Sequence, residues 1–111
     1  MSHASHATDE LFRALADPTR RRVVERLAEG PASVGTLAES FDMALPSFVR
    51  HLAVLEGAGL VRSSKRGRVR TYRLVPARLA PVERWLDARR VVWERRLDQL
   101  DAHLADPENR A

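Results

Sequence analysis

The chain of 111 residues contains no cysteine, and this absence removes several classes of protein at once. Without thiols there is no disulfide, no thiolate metal site and no cysteine nucleophile. No apolar run is long enough to span a bilayer, and the N-terminal sequence MSHASHATDE lacks the basic and apolar regions of a signal peptide. The sequence therefore predicts a cytoplasmic protein that does not insert into a membrane.

Residue patterns that support catalysis or cofactor binding are lacking as well. The chain shows no nucleophile–base pair, no glycine-rich phosphate loop before a helix and no recurring pair of carboxylates. We therefore expect a protein that is not an enzyme, has no catalytic residues and needs no cofactor. A membrane-surface role is disfavoured too, because acids balance the basic residues near the C-terminus.

Acidic residues are absent from one short segment, residues 61–75, which holds six basic residues. Residues 1–60 carry 6 basic and 8 acidic side chains, and residues 76–111 carry 7 of each. The formal net charge of +4 is therefore +6 in this segment and −2 elsewhere. Such a local asymmetry indicates a polyanionic partner, nucleic acid or an acidic membrane surface, although charge alone also fits a solvated hairpin.

The first forty residues predict a disordered tail and three short helices. Residues 1–8 are small, polar and without periodicity, which indicates disorder. Apolar spacing over residues 11–17 indicates a short helix. Asp17 followed by Pro18 is typical of an N-cap with proline in the first turn of the next helix, and Ser33 is the expected cap of the third.

A fourth helix, over residues 46–57, completes a helix-turn-helix pattern. Phe48 and the leucines that follow it at helical spacing form its inner face. The β-prone segment 62–73 comes directly after it and flanks a turn at Arg66 and Gly67, so it predicts a hairpin wing.

The last predicted helix, at about residues 79–104, is too long for the rest of this small chain to cover. An apolar stripe at heptad spacing runs along it and includes Leu86, Trp93, Leu97 and Leu100. We expect this stripe to form the interface of a homodimer. Residues 9–104 are then one winged helix-turn-helix domain, mainly α with a small β-hairpin wing, and residues 105–111 are a disordered tail.

Three stretches of the sequence resemble the ArsR/SmtB family of winged-helix bacterial repressors. They are LFRALADPTRRRVVERLAEGP, VGTLAESFDMALPSFVRHLAVLEGAGLVRSSKRGRVRTYRL and ERWLDARRVVWERRLDQLDAHL. Together they cover residues 11–104, and their combination is far more specific than any one of them. The resemblance implies a homodimer that binds operator DNA and leaves it when an effector binds. The sequence names neither the effector nor the operator.

The residues expected to contact double-stranded DNA lie in the fourth helix and in the wing: Ser47, Val49, Arg50, His51, Lys65, Arg66, Arg68 and Arg70. Arg50 is the charged group near the outward start of the helix, where it can bind a guanine edge or a phosphate. Val49 stands where the family usually has a serine, and it contacts either a thymine methyl or the edge of the core. His51 binds either a phosphate or a backbone carbonyl.

Two details of this interface follow from local spacing. The three arginines of the wing share one face only if the hairpin is regular through Gly67, and Arg73 would then lie on the other face and matter less. Ala44 stands where the family commonly has a capping serine, so the start of the fourth helix is expected to lack a side-chain cap.

A metal site, which founding members of the family possess, is not expected here. Their arsenite-type thiolates correspond to Ser33 and Gly35, and neither residue ligates a soft metal. The last helix offers Asp98, Asp101 and His103, but residues two apart point to different faces of a helix. Zinc typically takes three or four convergent ligands.

Two other interpretations stay open beside a repressor that binds an inverted repeat. A winged-helix module that docks on a protein would need an acidic partner for residues 61–75. A regulator that responds to a small molecule would hold its ligand between the terminal helices, around Trp85 and Trp93, although both tryptophans also suit a dimer core. Repression and activation are not distinguished by the residues themselves.

Overall fold

The structure is a computed structural model that describes the backbone of residues 3–105 and the side chains of residues 6–105. The chain forms two compact units, one ending at Pro81 and the other beginning at Val82. The predicted C-terminal tail lies outside the described residues, apart from Ala105, which ends the last helix.

The helices and strands follow one another in the predicted order of a helix-turn-helix with a wing. In chain order they are α1 (His3–Leu15), α2 (Pro18–Leu27), β1 (Ala32–Ser33), α3 (Val34–Glu39), α4 (Leu45–Gly57), β2 (Val61–Arg66), β3 (Val69–Leu74), a 3-10 helix (Pro76–Leu79) and α5 (Ala80–Ala105). The fold is mainly α with a small antiparallel sheet, which confirms the predicted class.

The first helix begins earlier than predicted. The sequence predicts disorder over residues 1–8, but α1 already begins at His3, so the prediction is wrong from that residue onward. The segment contains neither proline nor glycine to stop a helix. His6 Nε2 lies 3.1 Å from Glu10 Oε1 one turn later, and Leu11 is fully buried. The buried part of α1 therefore supports the more polar turn before it.

Side-chain caps begin two of the helices, as the sequence indicated. The carboxylate of Asp17 accepts a hydrogen bond of 3.0 Å from the backbone N–H of Arg20, and the hydroxyl of Ser33 accepts one of 3.1 Å from the N–H of Thr36. Ala44, at the N-cap of α4, provides no such bond. The prediction of an uncapped start for α4 is confirmed.

Apolar side chains from four helices, from β2 and from the segment before β2 build the core of the first unit. The largest fully buried ones are Phe48, Leu11, Leu37, Leu52, Leu55, Leu60, Val23 and Val61. Burying each of them contributes about 1.5–3 kcal/mol. Because three of these residues belong to α4, its inner face is fixed against the core, and the start of the helix presents its other residues to solvent.

The sheet contains a short strand that was not predicted. Ala32 of β1 pairs with Tyr72, and Ser33 pairs with Thr71, which gives the strand order β1–β3–β2. A strand of two residues has no periodicity to detect, and only its pairing with β3 defines it. This pairing joins the base of the wing to the start of α3.

Candidate nucleic-acid interface

The outward face of α4 is formed at its N-terminal end by Ser47, Val49 and Arg50, all of which are exposed. Phe48, between them, is buried and contacts Phe41 with ring centroids 4.9 Å apart. Val49 is 43% exposed, so it does not belong to the core, and its contact with a thymine methyl stays a prediction. The structure therefore presents a hydroxyl, a methyl surface and a guanidinium along about one turn of helix.

The wing is a two-stranded hairpin whose turn lies one residue later than predicted. Arg66 pairs with Val69, so the loop consists of Gly67 and Arg68. Gly67 has φ of 63°, at the first loop position, where a tight type II′ hairpin turn requires glycine. Arg68 is thereby placed at the tip of the wing.

This register overturns the prediction that the three wing arginines share a face. Lys65 pairs with Arg70, and Arg66 pairs with Val69. Because strand side chains alternate, Lys65 and Arg70 lie on one face, and Arg66 lies on the opposite face together with Arg73. Residues two apart share a face only within one strand, and the chain reverses at Gly67 between Arg66 and Arg70. The register therefore gives no reason to expect a smaller contribution from Arg73 than from the other arginines.

Hydrogen bonds join the C-terminal part of α4 to the wing. Glu56 Oε2 accepts from the backbone N–H of Ser63 at 3.2 Å and from its hydroxyl at 2.8 Å. Arg70 Nη1 donates to the same hydroxyl oxygen at 2.8 Å. Arg70 is therefore held along β2 by a neighbour within its own hairpin. Sequence reasoning missed Glu56 and Ser63, because they are seven positions apart in different elements and no motif marks the pair.

The other basic side chains of the wing are available to a partner. Lys65, Arg66 and Arg68 are exposed. Within residues 6–105, none of these three side chains makes a hydrogen bond or an ion pair with the protein. Their charges are thus not neutralised intramolecularly in the described part of the chain. Such a surface is suited to phosphate oxygens.

A polar cluster of Asp17, Arg20 and His51 connects the first three long helices. Arg20 Nη1 lies 3.2 Å from His51 Nδ1, and Asp17 Oδ2 lies 3.6 Å from the same nitrogen. The backbone N–H of Arg20 is the main cause of a lowered pKa of the Asp17 carboxyl; burial opposes the shift, and the charges of His51 and Arg20 add to it. The expected carbonyl partner of His51 is replaced by Arg20, 31 residues away in sequence.

The second unit consists of α5 from Val82 onward, and it presents the predicted apolar stripe to solvent. Leu86, Trp93, Leu97 and Leu100 are all about half exposed, and Trp93 is the most exposed of them at 61%. Arg90 lies on the same side of the helix, bonded to Asp87 at 2.6 Å and 3.9 Å from Glu94. The stripe's role as a dimer interface stays a prediction.

Metal-ligating side chains do not converge in the described part of the chain. No three histidine or carboxylate side chains among residues 6–105 form a group that could hold an ion. Ser33, at one of the family's thiolate positions, instead caps α3. No helix within the described residues combines the length and apolar character needed to cross a bilayer.

Comparison with known proteins relates this chain to bacterial regulators. A family model described as a helix-turn-helix domain matches residues 15–64. The chain is 43% identical over 100 residues to the HTH-type transcriptional regulator Rv2034 of Mycobacterium tuberculosis, covering 90% of each. It is 31% identical over 78 residues to the transcriptional repressor SdpR of Bacillus subtilis, covering 70% of this chain and 87% of that protein. A solved structure of an ArsR family transcriptional regulator shares 47% identity with a TM-score of 0.79, covering 85% of this chain and 97% of the other.

Proposed function

Because the chain belongs to the ArsR/SmtB family of winged helix-turn-helix transcriptional regulators, we propose that it is a dimeric repressor that binds an inverted-repeat operator. One observation carries the proposal. The uncapped, exposed start of α4 stands beside a basic hairpin. Among the described residues, the lysine and arginine side chains of this hairpin have no protein partner, Arg70 aside. A helix that enters the major groove with a basic wing beside it reads a duplex in this way.

The two parts of this surface have different roles. Ser47, Val49 and Arg50 discriminate among base pairs, since a hydroxyl, a methyl surface and a guanidinium each match a different base edge in the major groove. The basic residues of the wing contribute affinity, because phosphate contacts position a protein without reading sequence. Lys65, Arg66 and Arg68 are better able to do so than Arg70, which already donates to Ser63.

Dimerisation through α5 supplies the symmetry that an inverted repeat demands. Large apolar side chains on one side of a long helix are typical of a helix–helix interface, and in the single chain they are exposed to water. A two-fold axis would place the two copies of α4, the recognition helix of each subunit, over half-sites about one turn of DNA apart, or a multiple of it. Repression is proposed because the Bacillus subtilis relative is named a repressor, and the site of action is the cytoplasm, where the DNA lies.

Selection of bound duplexes from a random pool, followed by footprinting on the DNA upstream of the gene, tests the proposal. We expect an inverted repeat, protected symmetrically. In a parallel selection, Arg50→Ala should relax the preference at one position of each half-site and cost about 1–3 kcal/mol on the best operator. Failure to enrich any duplex, by a folded wild-type protein at low salt, would contradict DNA binding and favour the protein-docking interpretation.

A further inference from the structure

The guanidinium of Arg20 is held by the end of α1 and directed at α4. Its Nε donates to the carbonyl oxygen of Ala14 at 2.7 Å, and its Nη2 donates to that of Arg13 at 3.0 Å. These two bonds fix the planar group, and they leave Nη1 facing His51 Nδ1 at 3.2 Å. An arginine in this setting has little freedom to turn away from the histidine.

This contact determines which ring nitrogen of His51 carries the proton. A guanidinium has donors and no acceptor, so Nδ1 of His51 must accept, and the neutral ring then has its proton on Nε2. Asp17 Oδ2 lies 3.6 Å from Nδ1, which is beyond a hydrogen bond. Arg20 is therefore the hydrogen-bond partner of Nδ1, and Nε2 remains as the donor of the ring.

The Nε2 atom of His51 is accessible to solvent. Among the described residues it makes no hydrogen bond, yet no buried polar side-chain atom in the described part of the chain lacks a partner. It therefore reaches solvent, in agreement with a side chain that is 23% exposed. His51 also lies one turn after Ser47 on the same side of α4, at the border of the outward face.

From this geometry we propose that Arg20 is a positioning residue, which holds His51 so that its Nε2–H donates to a DNA backbone phosphate. The inference rests on the proposed function, because the phosphate belongs to the operator. Arg20 itself does not touch DNA; it acts by selecting the tautomer and the ring orientation of His51. The contact adds to affinity for every sequence and does not alter base preference.

Amide substitutions at His51 separate the two sides of the ring. In His51→Gln the amide nitrogen stands near the place of Nε2, and in His51→Asn it stands near that of Nδ1. We expect His51→Gln to keep the operator affinity. His51→Asn should weaken binding to all sequences alike by about tenfold for the lost hydrogen bond, with unchanged base preference and an unchanged slope of log affinity against log salt, because a neutral ring neutralises no phosphate charge. Arg20→Lys, in which an ammonium replaces the planar fork, should behave as His51→Asn does.

A spectroscopic measurement tests the positioning step without DNA. Long-range proton–nitrogen correlation spectra should show His51 of the free wild-type protein protonated at Nε2, and Arg20→Lys should shift it to a mixture of tautomers. A wild-type ring protonated only at Nδ1 would overturn the inference. Arg20→Lys and His51→Asn variants that are less stable but keep the wild-type operator affinity would also overturn it, since the cluster would then be merely structural. In both cases sequence-specific binding by the wild-type protein would leave the proposed function intact, whereas a wild-type protein that binds no selected DNA would remove both.

Discussion

The carboxylate of Glu56, near the end of α4, holds Ser63 of β2 by two hydrogen bonds, one from its backbone N–H and one from its hydroxyl. The pair connects the element expected to enter the major groove with the element expected to lie on the phosphates. Both bonds reach the same carboxylate oxygen, so they link Ser63 in β2 to the last turn of α4. Neither Glu56 nor Ser63 is an expected DNA contact, so this link between α4 and the wing lies outside the residues expected to bind DNA.

The first prediction concerns the tip of the wing. Arg68→Ala should weaken binding to all sequences alike and lower the salt slope by about one for each phosphate that Arg68 binds, because the side chain is exposed and has no protein partner among the described residues. Arg95→Ala, which removes an equal charge from α5, is the matched control and should change the slope little. Titrations of a labelled operator at several salt concentrations measure both. Equal slopes for the two variants would argue against a phosphate contact at the tip.

Arg70 allows a second test within the same hairpin. Its side chain is bonded to Ser63, so Arg70→Ala and Ser63→Ala should share a consequence, a less constrained wing. We expect both to reduce operator affinity, with Ser63→Ala doing so although it removes no charge. Hydrogen exchange of the hairpin amides should be faster in both variants. Unchanged exchange in Ser63→Ala would show that the hydroxyl bonds of Ser63 to Glu56 and Arg70 do not constrain the wing.

Dimerisation is tested on the apolar stripe of α5. Trp93→Glu or Leu100→Glu should give a monomer or an insoluble protein, since a carboxylate in a helix–helix interface is desolvated without a partner. Arg95→Glu introduces the same residue on nearly the opposite side of the helix and should stay dimeric. Sedimentation velocity at micromolar concentration distinguishes the species. A well-folded wild-type monomer under these conditions would refute the interface.

The cap of α2 predicts a pH dependence of stability. The pKa of Asp17 is lowered, chiefly by the N–H of Arg20, so its stabilisation is present above the ordinary value of 3.8 and disappears as the pH falls through the lowered one. Asp17→Ala should cost about 0.5–2 kcal/mol at neutral pH. Asp17→Asn keeps a capping oxygen, so it should lower the free energy of unfolding by less than Asp17→Ala does. Because the amide does not titrate, stability should also fall less steeply as the pH is lowered. Urea unfolding between neutral pH and about pH 3 measures this. An acid limb as steep in Asp17→Asn as in the wild type would exclude Asp17 as its source.

Two neighbouring glycines make opposite predictions about stability. Gly59 has φ of 81°, and a Cβ there would lie 2.8 Å from Arg78 Nε, which itself donates to the carbonyl of Ala58. Gly59→Ala should therefore destabilise by at least the cost of a left-handed residue, about 1–2 kcal/mol. Gly57 ends α4 with open space around it, and Gly57→Ala should be neutral or slightly stabilising. Urea unfolding of both variants gives the comparison, and equal losses would show that backbone conformation at Gly59 is not the cause.

Local rules are enough for most elements of this fold. The N-caps of Asp17 and Ser33 and the inner face of α4 depend on residues within one or two turns of each other, so spacing alone predicts them. The charge of the wing is likewise a property of contiguous residues, and it is the same whatever fold the chain adopts. These rules do not predict that α1 extends before Leu11. The polar composition of residues 1–8 indicates disorder, whereas in the structure the buried Leu11 supports an additional helical turn before it.

Contacts between segments that are distant along the chain were decided only by the tertiary structure. The turn at Gly67 and Arg68 is selected by strand pairing, and a shift of one residue sends Arg66 and Arg70 to opposite faces. Arg20 meets His51 across 31 positions because α2 and α4 pack together, and no periodicity along one helix encodes its neighbour on another. The sequence by itself determined which residues carry charge and which are apolar; packing determined which of those charges are bonded within the protein and which are left for a partner.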